Sequence, residues 1–409
     1  MTNKNKIIPF VLFFFLTSGM FTVAFNPVSA ELVEDSWNTK TSMSQPRSGL
    51  GVVVVDDKIY AIGGAVDAGY SSGTNECYDP VTDTWTTLAS MLTPRARFAI
   101  AEYQGKIYCI GGEDYSGKFS EFGVNEVYNT VTNSWSTKAS VPFNGECLLA
   151  SIEDGKFFVI AGQTLFMYDI ATDFWSEKTR MPDEHDSSRS GAGTLAVVDN
   201  KIIFFYSYII DHSSSFKNKV MIYDPKSDVW SEGACPPHIG INPPPYTRSI
   251  YGGAVGVTTG RFAPQKIFVL HYTHNIVYDP AKNTWSTAKD MPTERRGFGV
   301  AVVDDILYVI GGYIPHHQPA HSDFLETTAV VEQCVPIGYR SSAYTTPAPS
   351  NSVPSEPDTL DPSEPFLNPS MIVAALILTI GVVVVGLFVY LNKRKRFARD
   401  TTNLIYKAK

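Results

Sequence analysis

The sequence lacks the short signatures that mark familiar catalytic and metal centres. It contains no GxSxG, HExxH, P-loop or dinucleotide-binding glycine pattern. Its five cysteines, at positions 77, 109, 147, 235 and 334, form no CxxC or other metal-ligand spacing, and their odd number leaves at least one thiol unpaired. No Asn-x-Ser/Thr sequon occurs, which disfavours a heavily N-glycosylated surface. The residues therefore give no direct sign of a reaction or a cofactor.

Charged residues make up only 18% of the chain, and two long uncharged apolar runs stand near its ends. Residues 1–30 combine two lysines, an apolar run and the ending Val28-Ser29-Ala30, which predicts a secretory signal peptide; the alternative is an uncleaved anchor. Residues 371–391 are uncharged and would span about 30 Å as a helix, which predicts one transmembrane helix.

The charge distribution predicts how the chain is placed in the membrane. Residues 392–409 hold seven basic residues and one acid, so we expect this tail in the cytoplasm and residues 31–370 outside, in a single-pass cell-membrane protein. Without the tail and residues 1–30, 24 basic and 40 acidic residues remain, a net charge of −16. Such a surface repels phosphate backbones, so nucleic acid is not an expected partner.

One short stretch recurs along the chain. Each copy begins with Tyr and ends with Trp seven residues later, and the copies are YDPVTDTW (78–85), YNTVTNSW (128–135), YDIATDFW (168–175), YDPKSDVW (223–230) and YDPAKNTW (278–285). Upstream lie two apolar runs around a polar two-residue turn, as in VVVVDDKIYAIGG (52–64), which is typical of a tight β-hairpin. Each unit thus predicts four strands, named a to d in chain order, with Tyr ending strand c and Trp beginning strand d.

Four short strands every 40–55 residues match the period of a β-propeller blade. The sequence has six hairpins but only five complete Tyr-to-Trp copies. The last hairpin, 301–312, is followed by VVEQC (330–334) without a Trp, whereas Trp37 stands alone near the start of the chain. We therefore predict an all-β, six-bladed propeller over residues 31–339, closed by an N-terminal strand that contains Trp37; the alternative is a frayed N-terminal arm. Residues 340–370, rich in Pro, Ser and Thr, predict a disordered stalk.

The double glycine followed by Tyr and then Trp resembles the kelch repeat, and the resemblance covers about residues 31–339. The whole layout resembles membrane-anchored surface proteins of archaea. The positions that carry the repeat are Gly63, Gly64, Tyr78, Trp85, Gly111, Gly112, Tyr128, Trp135, Tyr168, Trp175, Tyr223, Trp230, Tyr278, Trp285, Gly311, Gly312 and Trp37. Blades 3, 4 and 5 depart from the pattern at the glycine pair, where Ala161-Gly162, Tyr206-Ser207 and His271-Tyr272 stand instead.

A repeated arginine precedes strand a of several blades. The set comprises Arg47, Arg95, Arg97, Arg189, Arg295 and Arg296. Because strand a lines the channel of a propeller, these side chains are expected around one channel mouth, and the resemblance implies a face that recognises acidic peptides. The alternative is that each arginine ties its loop to a neighbouring blade.

Three histidines, His316, His317 and His321, are weak metal candidates in the loop between strands b and c of blade 6, with a solvated loop as the alternative. We expect no cofactor. The function most consistent with the sequence is a non-enzymatic extracellular binding module for a protein or glycan. Two alternatives remain, namely a carbohydrate-active enzyme such as a sugar mutarotase or a galactose-oxidase-like protein, and a structural envelope protein.

Overall fold

The computed structural model describes residues 32–340, apart from 68–69, 115–119, 122, 143–147, 153, 162, 183–192, 210–215, 237–253 and 316–325. All of these residues lie in one compact unit, Met1–Thr345. The predicted signal peptide, transmembrane helix and tail lie outside the described residues, as do almost all of the stalk and the candidate residues Arg189, His316, His317 and His321. Within the described part of the chain, no helix has the length and apolar character needed to cross a bilayer.

All the regular secondary structure in the described residues is β-strand. The first ten are β1 (Ser36–Lys40), β2 (Gly51–Val55), β3 (Lys58–Ile62), β4 (Ala65–Val66), β5 (Tyr70–Ser71), β6 (Asn75–Asp79), β7 (Thr84–Leu88), β8 (Ala99–Tyr103), β9 (Lys106–Ile110) and β10 (Glu113–Asp114). The next ten are β11 (Ser120–Glu121), β12 (Asn125–Asn129), β13 (Ser134–Thr137), β14 (Leu148–Ile152), β15 (Lys156–Ala161), β16 (Thr164–Asp169), β17 (Phe174–Glu177), β18 (Thr194–Val198), β19 (Lys201–Ile209) and β20 (Phe216–Asp224). The last ten are β21 (Val229–Glu232), β22 (Ala254–Val257), β23 (Ile267–His271), β24 (His274–Asp279), β25 (Thr284–Thr287), β26 (Gly299–Val303), β27 (Ile306–Ile310), β28 (Tyr313–Ile314), β29 (Glu326–Thr327) and β30 (Val331–Val335).

Six four-stranded antiparallel sheets make the six blades of a propeller. From the innermost strand outward, blades 1 to 6 are β2-β3-β6-β7, β8-β9-β12-β13, β14-β15-β16-β17, β18-β19-β20-β21, β22-β23-β24-β25 and β26-β27-β30-β1. Each innermost strand contacts those of the two adjacent blades, and β26 contacts β2, so the ring is complete. The predicted all-β six-bladed propeller is therefore confirmed.

The predicted tight hairpins join strands a and b. In blade 1, Asp56 and Asp57 form the whole turn between β2 and β3, and both have positive φ, near 50° and 58°. Two consecutive residues in this conformation give a turn whose twist matches that of the paired strands. Because neighbouring strands are antiparallel, the a–b and c–d turns share one face of the disc, named here the lower face, whereas the b–c and d–a loops share the upper face.

Adjacent blades are joined by the same two hydrogen bonds at every boundary. An Asp or Asn two residues before each Trp accepts a bond from a backbone nitrogen of the preceding blade, and the Trp donates from Nε1 to the carbonyl of that same residue. The pairs and the residues they hold are Asp35 and Trp37 with Lys289, Asp83 and Trp85 with Thr41, Asn133 and Trp135 with Ala89, Asp173 and Trp175 with Ala139, Asp228 and Trp230 with Thr179, and Asn283 and Trp285 with Ala234. These bonds fix each outer strand to its neighbour, because a backbone group left without a partner there is costly.

The first strand of the described chain, β1, is the outer strand of blade 6. Trp37 lies opposite Cys334 in the register of β1 and β30. In the other five blades, the Trp lies opposite the repeat tyrosine, as Trp85 does opposite Tyr78. Cys334 therefore occupies the tyrosine position of blade 6. The Trp of this blade comes from the first strand of the propeller and does not follow strand c in the sequence, so the Tyr-to-Trp stretch occurs only five times.

A buried carboxylate at the lower face holds the boundary of blades 5 and 6. The a–b connection of blade 5 is longer than the two-residue turns of its neighbours, and Asp305 accepts hydrogen bonds from the backbone nitrogens of Phe262 at 2.6 Å and Ala263 at 2.9 Å. Thr259 adds its backbone nitrogen and its hydroxyl. Burial alone would raise the pKa of Asp305, but the bonds donated by Ala263, Thr259 and Phe262 lower it below its usual value.

Acidification should test this carboxylate. The folded pKa of Asp305 lies below its unfolded pKa of about 3.9, so its contribution is present above about pH 4 and is lost as the pH falls through the folded pKa. We expect D305N to lose about 2 kcal/mol of unfolding free energy at neutral pH. Denaturant unfolding measured from about pH 5 to pH 2 should then show a weaker pH dependence for D305N than for the wild type. Equal slopes for the two proteins would contradict this role.

Candidate functional site

The upper face differs between two halves of the disc. In blades 6, 1 and 2, which are adjacent, the b–c connection contains an additional two-stranded hairpin, formed by β28 and β29, β4 and β5, and β10 and β11 respectively. Asp67 of the blade 1 hairpin accepts a hydrogen bond from the hydroxyl of Thr327 in the blade 6 hairpin at 2.6 Å. These two hairpins are therefore joined to each other above the ring.

Beneath each of these hairpins lies a buried ion pair. Guanidinium and carboxylate are 2.5 Å apart in Arg47–Glu76, 2.7 Å in Arg95–Glu126 and 2.8 Å in Arg295–Glu332, and no side chain among them is more than 3% exposed. Each arginine precedes strand a, and each glutamate lies in strand c of the same blade. The guanidinium groups also donate to backbone carbonyls; that of Arg47, for example, reaches Gly63 at 2.7 Å and Thr74 at 3.0 Å.

These contacts decide the role of three of the six predicted binding arginines. We expected Arg47, Arg95 and Arg295 to face a ligand at the channel mouth, but their side chains are fully buried and ion-paired. Burial lowers the pKa of Arg295 to about 10, against the opposing attraction of Glu332, so the group remains charged at neutral pH. Each of these three arginines ties its loop to strands of its own blade, whereas the alternative interpretation had it bind a neighbouring blade.

The double glycine of blades 1 and 6 joins each of these two blades to the next. Gly64 of blade 1 donates its backbone N–H to the carbonyl of Arg95 in blade 2 at 2.9 Å, and Gly312 of blade 6 donates to Arg47 of blade 1 at 2.8 Å. At Gly64, φ is near 101°, and an added Cβ would lie 2.9 Å from the carbonyl oxygen of Ser48. The glycines are thus required by close backbone approach.

Blade 5 makes the same junction without glycine. Tyr272 occupies the position of the second glycine, has a φ near 56° and forms a backbone bridge with Arg295 of blade 6. A bulky residue rarely adopts this conformation. The Tyr272 ring is almost fully buried and lies 3.7 Å from the guanidinium carbon of Arg296, which is stacked on it. Arg296 is partly exposed, so this stack presents a guanidinium held in one orientation at the upper face.

Arg97 lies in the d–a loop before blade 2, at the position that Gly297 occupies before blade 6. Gly49 donates its backbone N–H to Gly297 at 2.7 Å, and Arg97 donates to Gly49 at 2.8 Å, so the d–a loops of blades 6, 1 and 2 are bonded in series. Arg97 has a φ near 52°, where the two other loops have glycine. Its side chain is 41% exposed, and the guanidinium lies 3.0 Å from the carboxylate of Glu113. Of the five predicted arginines within the described residues, Arg97 and Arg296 are thus the two that reach the solvent-facing surface.

The channel wall below this mouth is apolar. Its half-buried side chains include Val52, Val54, Ile100, Leu195, Val197, Val255, Val257, Val300 and Val302. Glu102 is the only charged residue in the six innermost strands. The innermost strands therefore offer almost no charged group to a ligand in the channel.

Comparison with known proteins identifies the repeat. The Kelch motif model matches residues 46–92, 94–142 and 294–323. Three of the six blades carry the Kelch motif. The three matched kelch segments belong to blades 1, 2 and 6, the same blades that contain the glycine pairs, the buried ion pairs and the additional hairpins.

Solved structures show the same fold. The chain is similar to the protein described as "Structure of YjhT", with a TM-score of 0.55 and 14% sequence identity, and the match covers 70% of this chain and 99% of that one. At this identity, the likeness concerns the kelch fold alone. No curated protein sequence matches the chain significantly.

Two sets of residues were not predicted from the sequence, one in the kelch blades and one in all six blades. One is the glutamate of strand c, in NECY, NEVY and VEQC, and the other is the Asp or Asn of the [DN]-x-W pattern. Both recur at fixed positions and were open to detection. Among the described residues, no group of three or more His, Cys, Asp or Glu side chains is placed to hold a metal ion.

Proposed function

We propose that the protein is a non-enzymatic binding module, displayed outside the cell membrane, whose ligand is a protein or glycan held at the upper mouth of blades 6, 1 and 2. The observation that carries this proposal is the pair of guanidinium groups at the mouth, Arg97 beside Glu113 and Arg296 on Tyr272. Both stand over a part of the disc fixed by buried ion pairs and series-bonded loops. A rigid platform of this kind lowers the ordering cost of binding.

The chemistry of the mouth favours an anionic ligand. Guanidinium groups bind carboxylates with paired, charge-assisted hydrogen bonds, and stacking on an aromatic ring limits the orientations of Arg296. Residues 31–391 as a whole carry a net charge of −16, so an anionic ligand is repelled elsewhere on the surface. Acidic side chains of a protein and the carboxylates of an acidic glycan share this chemistry.

Binding should depend on these two arginines. We expect R97A and R296A each to weaken binding of an acidic peptide or an acidic glycan about tenfold or more. The measurement is a titration of the full-length protein in nanodiscs against arrays of acidic and neutral peptides and glycans. R261A is the matched control, because Arg261 also stacks on an aromatic ring, that of Phe262 at 4.6 Å, but lies at the lower face with 73% of its side chain exposed. Unchanged binding by both R97A and R296A would contradict the proposal.

A further inference from the structure

Most of the large apolar side chains that are exposed in the described part of the chain lie on the lower face. Nine large apolar residues are exposed within the described part of the chain: Leu32, Val33, Tyr70, Val81, Leu92, Val131, Phe174, Val229 and Ile337. Tyr70 and Leu92 lie in loops of the upper face. The other seven lie in c–d turns, at the first residue of an outer strand or next to the two ends of the propeller, and all of these positions belong to the lower face.

The most exposed of these residues stand at turn apices. Val81 and Val131 occupy the c–d turns of blades 1 and 2 and are 93% and 89% exposed. Phe174 and Val229 occupy the corresponding corners of blades 3 and 4, at 66% and 55%. Four consecutive blades therefore each place an exposed apolar side chain at a c–d corner of the lower face. Isolated apolar residues need no explanation, but a row of them at corresponding corners does.

The chain also leaves the propeller on this face. Strand β30 ends at Val335, and the following residues are held against the lower face by two contacts with Phe262. Arg340 donates its backbone N–H to the Phe262 carbonyl at 2.7 Å, and the rings of Tyr339 and Phe262 are 6.1 Å apart. Gly338 donates to the Glu34 carboxylate at 2.8 Å, which joins both ends of the propeller at one place.

We propose that the lower rim rests on the outer surface of the lipid bilayer, with Val81, Val131, Phe174 and Val229 in the interfacial region. This inference rests on the proposed function in one respect, because it takes residues 371–391 as the membrane anchor. Only 30 residues separate Arg340 from Met371, at most about 100 Å of chain. A tether of this length gives the disc a high effective concentration at the bilayer surface. A few apolar contacts therefore suffice to keep the lower rim on the lipid.

The charges of the lower face determine which lipid suits it. Many of its carboxylates are engaged within the turns, as in the pairs Lys58–Asp79 and Lys266–Asp279, but acidic groups remain in excess over basic ones. An acidic face is repelled by anionic headgroups. The proposed partner is therefore a zwitterionic or neutral lipid surface, which leaves Arg97 and Arg296 facing away from the membrane.

Cysteine accessibility in the full-length protein tests this orientation. V229C and L92C form a matched pair, because the two side chains are 55% and 58% exposed on opposite faces. Each is introduced into a C235S background, which removes the exposed Cys235. In zwitterionic liposomes, a membrane-impermeant maleimide should modify V229C several-fold more slowly than L92C. The difference should shrink in anionic liposomes and vanish when the protein is kept in amphipol without a bilayer surface.

The possible outcomes separate this inference from the proposed function. Equal rates for V229C and L92C in zwitterionic liposomes would overturn the inference, even if both sites are labelled from outside. Labelling of L92C from outside intact cells tests display on the cell exterior by itself, whatever the rate at V229C. As a second measurement, V131S and F174S introduced beside V229C should restore its labelling rate to that of L92C. A rate that remains slow would also overturn the inference.

Discussion

Replacing Trp37 by alanine is expected to lower the free energy of unfolding by about 3 kcal/mol, although Trp37 precedes almost all of the described chain. The indole packs against the core between blades 5 and 6 and donates from Nε1 to the Lys289 carbonyl at 2.9 Å. Its loss removes apolar contacts and leaves that carbonyl without this donor. The measurement is equilibrium unfolding of the full-length protein by denaturant.

Trp85 supplies the matched control. It makes the equivalent bond to Thr41, at 2.8 Å, and also pairs with the Tyr78 ring at 5.0 Å, whereas Trp37 faces Cys334. We therefore expect W85A to be destabilised about 1 kcal/mol more than W37A. Deletion of residues 31–40 removes the whole outer strand of blade 6. It should lower the free energy of unfolding by more than either W37A or W85A. A deletion that melts like the wild type would show that β1 contributes nothing to closing the ring.

Replacing Glu76 by glutamine is expected to cost about 3–5 kcal/mol, because it leaves the fully buried guanidinium of Arg47 without its counter-charge. The cost comes from the unpaired charge more than from the lost bond. In contrast, E113Q removes the partner of Arg97, which is exposed to solvent, and should cost less than about 1 kcal/mol. Denaturant unfolding of both variants gives the comparison.

A double-mutant cycle identifies the cause. In blades 3, 4 and 5, the position of this glutamate is occupied by Phe166, Met221 and Ile276, so an apolar residue is accommodated at this position of a blade. R47M/E76M should therefore be more stable than E76Q, although the Arg47 bonds to Gly63 and Thr74 are lost. A double variant less stable than E76Q would contradict the unpaired-charge explanation.

The fold was largely open to prediction because its signals are local. The Asp56-Asp57 turn, the glycine pair at Gly63 and Gly64 and the Tyr78-to-Trp85 spacing each specify one corner of a blade within a few residues. Repetition of these corners then gives the number of blades. The place of Trp37 was also predictable. In the sequence, strand c of blade 6 is not followed by a Trp, and Trp37 is not preceded by strands a to c of any blade.

The role of the arginines was not predictable in the same way. Arg47 and its partner Glu76 are 29 residues apart, and nothing in either local sequence says that the side chains meet below the surface. Arg95 and Arg97, two residues apart, end in opposite environments, one fully buried and one exposed. The sequence shows that each arginine precedes strand a of a blade. Whether its side chain is buried depends on the residues of the sheet beneath the loop.

The position of β30 in blade 6 has a mechanical consequence. The chain that continues from β30 leads to the predicted anchor, so any force between a bound ligand and the membrane acts on this strand. β30 is an interior strand, paired with β27 on one side and β1 on the other. A pull along its axis loads both ladders in shear, where the hydrogen bonds resist together rather than breaking one after another. A disc that holds its ligand under tension is thus anchored through the strand least easily peeled away.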